Sequence, residues 1–345
     1  MSATPSSACD PTADESVFRR AIVDMGLAAA NQTITLTPLT GGVSSDIRLV
    51  QVGARRFCVK RALAQLKVAQ VWTVDTSRNA AEVAYFRTVG AWLPRFVPQL
   101  LGESAQAGLF AMAYLAPATH PLWKAQLLRG ESDSGLAWQV GARLSAVHRL
   151  SAQAPELRDR FGNDALFEAL RLDPYLRTTA QHHPALAGTL NALADRTRDT
   201  HLALVHGDVS PKNILAGPEG PVLLDAECAW FGDPAFDLAF CLNHLLLKGA
   251  RAGQSRAHYA PACRALTHAY LAGVDWEAPA ALEGRAAALL PALLLARIDG
   301  KSPVEYLVSD VEQNAVRAFA EPRIVTAPTQ LEPVIDDWTA GDTRA

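Results

Sequence analysis

The sequence has little of what an extracellular or membrane protein needs. Five of its 345 residues are cysteine, at Cys9, Cys58, Cys228, Cys241 and Cys263. An odd count without paired spacing speaks against a disulfide framework or a cysteine zinc site and fits reduced thiols. There is no basic excess: 32 Lys and Arg face 35 Asp and Glu, a net charge of −3. That balance argues against nucleic acid or an anionic membrane as a partner. Long apolar runs are missing too. The longest, Ala286–Ala296, is too short to span a bilayer and contains Pro291. Met1–Pro11 is small and polar, with no apolar segment of a signal peptide. A cytoplasmic location is the expectation, and no internal repeat is visible.

What remains is an ordinary globular composition, 49% hydrophobic and 19% charged, with length for about two lobes. One stretch organises the chain. Leu204 and Val205 lead into His206; Asp208 follows, then Asn213; Val222–Leu224 then delivers Asp225. The pattern reads as a strand, a tight polar loop and a short hairpin ending in a carboxylate. Such a loop can set Asp208 beside a substrate hydroxyl. Asn213 and Asp225 can then hold magnesium against nucleotide phosphates, the parts of a phosphoryl-transfer site.

His206-x-Asp208-x-x-x-x-Asn213 followed by Asp225 resembles the aminoglycoside phosphotransferase and choline kinase superfamily, small-molecule kinases of the protein-kinase-like fold. Gly207 stands where protein kinases usually carry Arg, and Asp225-Ala226-Glu227 where they carry Asp-Phe-Gly. The resemblance implies an α+β, two-lobed fold: a small antiparallel sheet lobe, then a mostly helical lobe. It implies ATP and magnesium as cofactors and a small hydroxylated molecule as acceptor. The connection from Asp225 to Asp237 is short and lacks Ala-Pro-Glu, which argues against a protein substrate.

The expected organisation is a disordered tail over 1–13, a nucleotide-binding lobe over 14–116, a helical lobe over 117–320 and a tail over 321–345. In the first lobe a helix over Glu15–Ala30 precedes strands over Thr33–Leu39, Asp46–Val52 and Arg55–Arg61. The Gly41-Gly42 turn with Ser44 and Ser45 reads either as a bare hairpin or as backbone and hydroxyls that approach phosphates. Lys60, after Phe57-Cys58-Val59, either is a solvated edge lysine among Arg55, Arg56 and Arg61 or, by the resemblance, is the lysine that contacts the α- and β-phosphates. Glu82, on a helix over Ser77–Trp92, resembles the glutamate that positions it. Order along the chain places the hinge at Met112–Leu115, with Ala113 and Leu115 presenting backbone to adenine.

In the second lobe helices are expected over Ser132–Ala152, Phe161–Leu170, Asp173–Gln181, Leu186–Thr200, Pro234–Leu247, Arg256–Ala272 and Ala278–Ala296. By the resemblance, His206, His148 and Asp237 support the catalytic loop, Asp237 by accepting its backbone N–H groups. Glu227 either sits near metal or substrate or is solvated. Arg297 either is a solvated helix end or is the candidate substrate contact, since C-terminal helices in the superfamily often wall the acceptor pocket and a similar Arg-containing helix end occurs in some members. Arg297 and Lys301 would repel a polycation, which disfavours an aminoglycoside relative to a sugar, nucleoside or amino alcohol. The alternatives are a nucleotide-binding pseudokinase and a nucleotidyltransferase on the same fold. The oligomeric state leaves no trace in the sequence.

Overall fold

The computed structural model describes residues 11–39, 45–63, 78–251 and 254–341. Residues 1–10, Gly41-Gly42 and Ser44 lie outside them. The chain divides into two compact units: Met1–Arg87 with Pro98–Leu115, and Thr88–Val97 with Ala116–Ala345.

The first unit is a helix on an antiparallel sheet. Helix α1 (Pro11–Asp24) precedes β1 (Thr35–Pro38), β2 (Ser45–Val52), β3 (Arg55–Ala62), helix α2 (Arg78–Trp92), β4 (Leu100–Ser104) and β5 (Leu109–Ala113). The strand order is β1-β2-β3-β5-β4. Helix α1 starts earlier than the sequence reading places it and stops at Asp24, not Ala30. Gly26, at φ +70°, takes the left-handed conformation that ends helices. Side chains alternate across a strand, so Phe57 and Val59 of β3 point one way and Cys58 and Lys60 the other. Phe57 and Val59 join Val50, Val52, Leu109 and Ala111 in a core closed by Phe18, Ala21 and Ile22 of α1. The opposite face meets α2, where Phe86 packs edge-on to Phe110, the cross-strand neighbour of Lys60.

The second unit is mostly helical. Helices α3 (Trp123–Leu128), α4 (Ser134–Ala152) and α5 (Leu157–Arg160) come first. Asp133 caps α4, accepting from Gly135 N and Leu136 N at 2.8 and 3.1 Å. The two helices expected over Phe161–Gln181 form one run: α6 (Asp164–Phe167), a π-helical stretch (Glu168–Arg177) and α7 (Thr178–His182). Pro174 lies inside it. Proline has no N–H and crowds the preceding turn of an α-helix, and the wider π turn continues through it. Helix α8 (Ala187–Asp199) leads to β6 (Ala203–Val205), β7 (Ile214–Gly217), β8 (Gly220–Leu223) and β9 (Trp230–Gly232). β6 pairs with β9, and β7 with β8, both antiparallel.

Helix α9 (Pro234–Gly249) is buried along its whole length, as a helix apolar on all sides must be. Around it pack α10 (Arg256–Ala272) and α11 (Pro279–Asp299); α12 (Asp310–Val325) and α13 (Leu331–Ala340) follow. The segment read as a tail therefore carries the end of α12 and the whole of α13. Trp338 is fully buried, its Nε1 donating to Leu246 O at 3.2 Å. Helix α11, at 21 residues, is longer than the apolar run suggests. By length and composition it could cross a membrane, but 67% of its apolar window is buried inside the protein.

Helices α4 and α10 pack closely at Gly141, where a Cβ would strike the Leu266 carbonyl and approach Tyr270 N at 3.1 Å. Gly141→Ala should therefore destabilise the protein by roughly 1–3 kcal/mol, as overpacking does. Urea unfolding checks this; an unchanged midpoint would show that the two helices separate freely.

Candidate active site

The loop after β6 is held by one buried carboxylate. Asp237, a turn into α9, accepts His206 N and Gly207 N at 2.8 Å each. Its Oδ2 also lies 3.3 Å from His148 Nε2, and His148 Nδ1 meets the Tyr270 hydroxyl at 2.6 Å. All three side chains are fully buried. Asp233 starts α9 as its N-cap and accepts from Arg285.

Gly207 has φ +78°, and a Cβ there would meet Cys228 O at 2.8 Å. Both the backbone and the space demand glycine. The His206 ring fixes the next step of the loop. Its Nδ1 accepts from Asp208 N at 3.1 Å, which leaves Nε2 to donate to Leu224 O at 3.1 Å. Burial lowers its basicity, so the ring stays neutral in these roles.

Asp208 is 3% exposed. Its Oδ2 lies 3.0 Å from Arg171 Nη2 and 3.0 Å from Lys212 Nζ. Its Oδ1 is buried and has no hydrogen-bond partner among the described residues. Burial favours the protonated acid, but the Lys212 and Arg171 cations outweigh it and hold Asp208 below the usual carboxylate range. The group is an ionised acceptor with one oxygen clamped and one free, suited to orienting a hydroxyl more than to strong basicity.

Asn213 closes the loop, its Nδ2 donating to Asp208 O at 3.1 Å. Its amide oxygen makes no hydrogen bond among the described residues and remains available to a cation. Asp225 follows β8 with φ +64°, a left-handed conformation that a non-glycine residue adopts at a cost. Asp225 adds a repulsive charge to Asp208, which sets the two carboxylates near one another. No group of three His, Cys, Asp or Glu suited to a metal occurs among the described residues. One amide oxygen and one carboxylate fit an ion that completes its shell with phosphate oxygens and water, as magnesium does. Glu227 is buried, within electrostatic reach of Arg171.

In the first unit, Lys60 Nζ and Glu82 Oε2 form a 2.6 Å ion pair at 3% and 1% side-chain exposure. Such a dry pair contributes little net stability, and its main effect is to fix where the ammonium sits. Ser45 is buried in β2. Ala113 commits its N–H to Gln99 O at 2.9 Å, whereas Leu115 N makes no hydrogen bond among the described residues.

Arg297 is 8% exposed, so it is not a solvated helix end. Its Nη1 donates to Tyr175 Oη at 3.0 Å and Ser302 Oγ at 3.1 Å.

Two residues at Asp208 escaped the sequence reading. Lys212 carried a signal: it lies four residues after Asp208, inside the motif. Arg171 carried none. It reaches Asp208 from the π-helical stretch, at a position between the two helices expected over Phe161–Leu170 and Asp173–Gln181.

A family model described as "Phosphotransferase enzyme family" matches residues 35–257. The chain belongs to that phosphotransferase family. It is similar to the methylthioribose kinase of Yersinia pseudotuberculosis serotype O:3, 26% identical over 221 residues, or 56% of this chain and 54% of that one. The methylthioribose kinase of Pectobacterium atrosepticum is 23% identical over 223 residues, covering 57% and 55%. The chain thus spans about half the length of the curated relatives it matches. Among solved structures it resembles an amicoumacin kinase in complex with AMP-PNP, Ca2+ and Ami, with TM-score 0.55, 13% identity and coverage of 93% and 98%. It also resembles a choline/ethanolamine kinase family protein from Mesorhizobium loti, with TM-score 0.50, 17% identity and coverage of 95% and 100%. At such identities the likeness shows the fold alone. The phosphotransferase-family chain has the α+β, kinase-like fold that its motif implies.

Asp237→Ala should leave two buried N–H donors without an acceptor, at about 1–3 kcal/mol each. The thermal midpoint should fall and His206 should lose its fixed position. An unchanged midpoint would mean that water or another acceptor replaces the carboxylate.

Proposed function

We propose that this phosphotransferase-family chain is an ATP- and magnesium-dependent kinase of a small molecule bearing a hydroxyl group. The observation that carries the reading is Asp208: Oδ2 clamped by two cations, Oδ1 buried and free. A buried acceptor without a donor is costly, and an acceptor hydroxyl would supply that donor. The hydroxyl oxygen forms a bond to the γ-phosphorus as the bond to the β-bridging oxygen breaks. ADP leaves, and the hydroxyl proton passes to Asp208 and then to solvent.

The transition state of such transfers is loose, so holding the hydroxyl in line matters more than basicity. That suits a carboxylate whose basicity Arg171 and Lys212 lower. Asn213 and Asp225 would hold the magnesium, which neutralises charge on the phosphate oxygens. Lys60, fixed by Glu82, would contact the non-transferred phosphates, and the Leu115 N–H would meet the adenine edge. The methylthioribose kinases it resembles support a small sugar-like acceptor.

Asp208→Asn should leave ATP binding nearly intact and lower kcat by roughly 10²-fold or more, as loss of a positioned acid–base group does. Full turnover in that variant would remove Asp208 from the reaction. Lys60→Met and Glu82→Gln should each lower kcat/KM. The double variant should be little worse than either single one, because the pair acts as a unit. Additive losses would show that the pair does not act together.

A further inference from the structure

Helices α9 and α11 end beside each other, and the segment Ser302–Tyr306 folds over them, tied by Val304 N to Arg297 O at 2.9 Å. Two cations are buried there, Lys248 at 2% and Arg297 at 8% exposure. Lys248 Nζ lies 3.8 Å from the centre of the Tyr306 ring. It makes no hydrogen bond and no ion pair among the described residues. Among the described residues Arg297 bonds only neutral oxygens, and its buried Nε has no partner. Among the described residues the Nε2 of His244, 5% exposed and one turn before Lys248, has no partner, nor does the buried Tyr306 hydroxyl.

Nearby carboxylates do not neutralise this cluster. Glu305 pairs with Lys124 at its more exposed edge, and Asp208 is already shared by Arg171 and Lys212. Buried charges are normally paired, and here two cations and several polar atoms converge with no carboxylate paired to Lys248 or Arg297 among the described residues. Burial and then Lys124 push the Lys248 ammonium down to about 7; Glu305 opposes them in part, and Arg297 adds a smaller push in the same downward direction. An anion would reverse that shift.

The cluster adjoins the catalytic loop through one ring. Tyr175 lies 5.4 Å from the Arg297 guanidinium and 6.0 Å from that of Arg171, whose Nη2 is 3.0 Å from Asp208.

We propose that the phosphate acceptor is a hydroxylated organic anion, its phosphate or carboxylate group seated among Lys248, Arg297, His244 and Tyr306. The proposal rests on the kinase reading for the word acceptor; the anion site itself does not.

The test uses the full chain with inorganic phosphate and with acetate as probes, each against chloride at equal ionic strength. Wild type should show a rise in thermal midpoint with at least one probe, and which one tells phosphate from carboxylate. Lys248→Met and Arg297→Met should lose that rise; if Arg297→Met does not fold, Lys248→Met decides. Lys60→Met should keep it, which separates this site from nucleotide contacts. Asp208→Asn should also keep it, whether or not the chain transfers phosphate, so failure of the kinase reading shows separately. In the active enzyme the same probe should compete with the acceptor and not with ATP. No response to either probe in wild type, a response retained in Lys248→Met, one lost in Lys60→Met, or competition with ATP alone would each overturn the proposal.

Discussion

The loop that carries Asp208 depends on one buried carboxylate whose oxygens are taken up by backbone donors. Asp237 receives two consecutive backbone N–H groups, and that contact decides where the loop turns. From there each step constrains the next. Gly207 must be glycine to pass Cys228, the His206 ring then receives Asp208 N, and Asn213 ties back to Asp208 O. The carboxylate of Asp208 is thus placed by backbone geometry, and its own side-chain atoms are left to other partners. A loop built this way can hold an ionised, largely buried carboxylate because its orientation does not depend on that carboxylate's own bonds.

Electrostatics then divides the two Asp208 oxygens. Arg171 and Lys212 compensate the burial of the charge on one side, and the other oxygen has no donor among the described residues. Arg171 comes from a helix widened into π geometry around Pro174. Its Nη1 donates to Leu170 O at 2.6 Å, within that same stretch. Such π stretches often occur at functional sites. Here a proline that would break an α-helix is accommodated in the segment that carries the cation to the site.

How much of this was legible follows from sequence distance. His206, Asp208, Asn213 and Asp225 fall within twenty residues, so offsets alone group them. Lys60 and Glu82 stood out as charges on apolar elements, and Asp237 as a carboxylate inside an apolar helix. Arg171, His244 and Lys248 did not stand out. Arg171 fell between two expected helices, His244 sits in a helix that read as apolar, and Lys248 sits at a helix end, where a lysine ordinarily meets water. Their convergence depends on how α9, α11 and the π-helical stretch pack, which no local pattern encodes. Helix ends were misread for a similar reason. Gly26 ended α1 early, and Pro174 did not end its helix because π geometry absorbed it.

The central claim is that the γ-phosphoryl group moves to a hydroxyl placed by Asp208. Isotope tracing tests it most directly. The full chain, with magnesium and a panel of small hydroxylated molecules, receives ATP labelled in parallel at the γ- or the α-phosphorus. The account predicts γ-label on an acceptor and α-label only in ADP. Label from the α-phosphorus on an acceptor, with pyrophosphate released, would make the chain a nucleotidyltransferase. No transfer from either position to any acceptor would contradict the kinase reading.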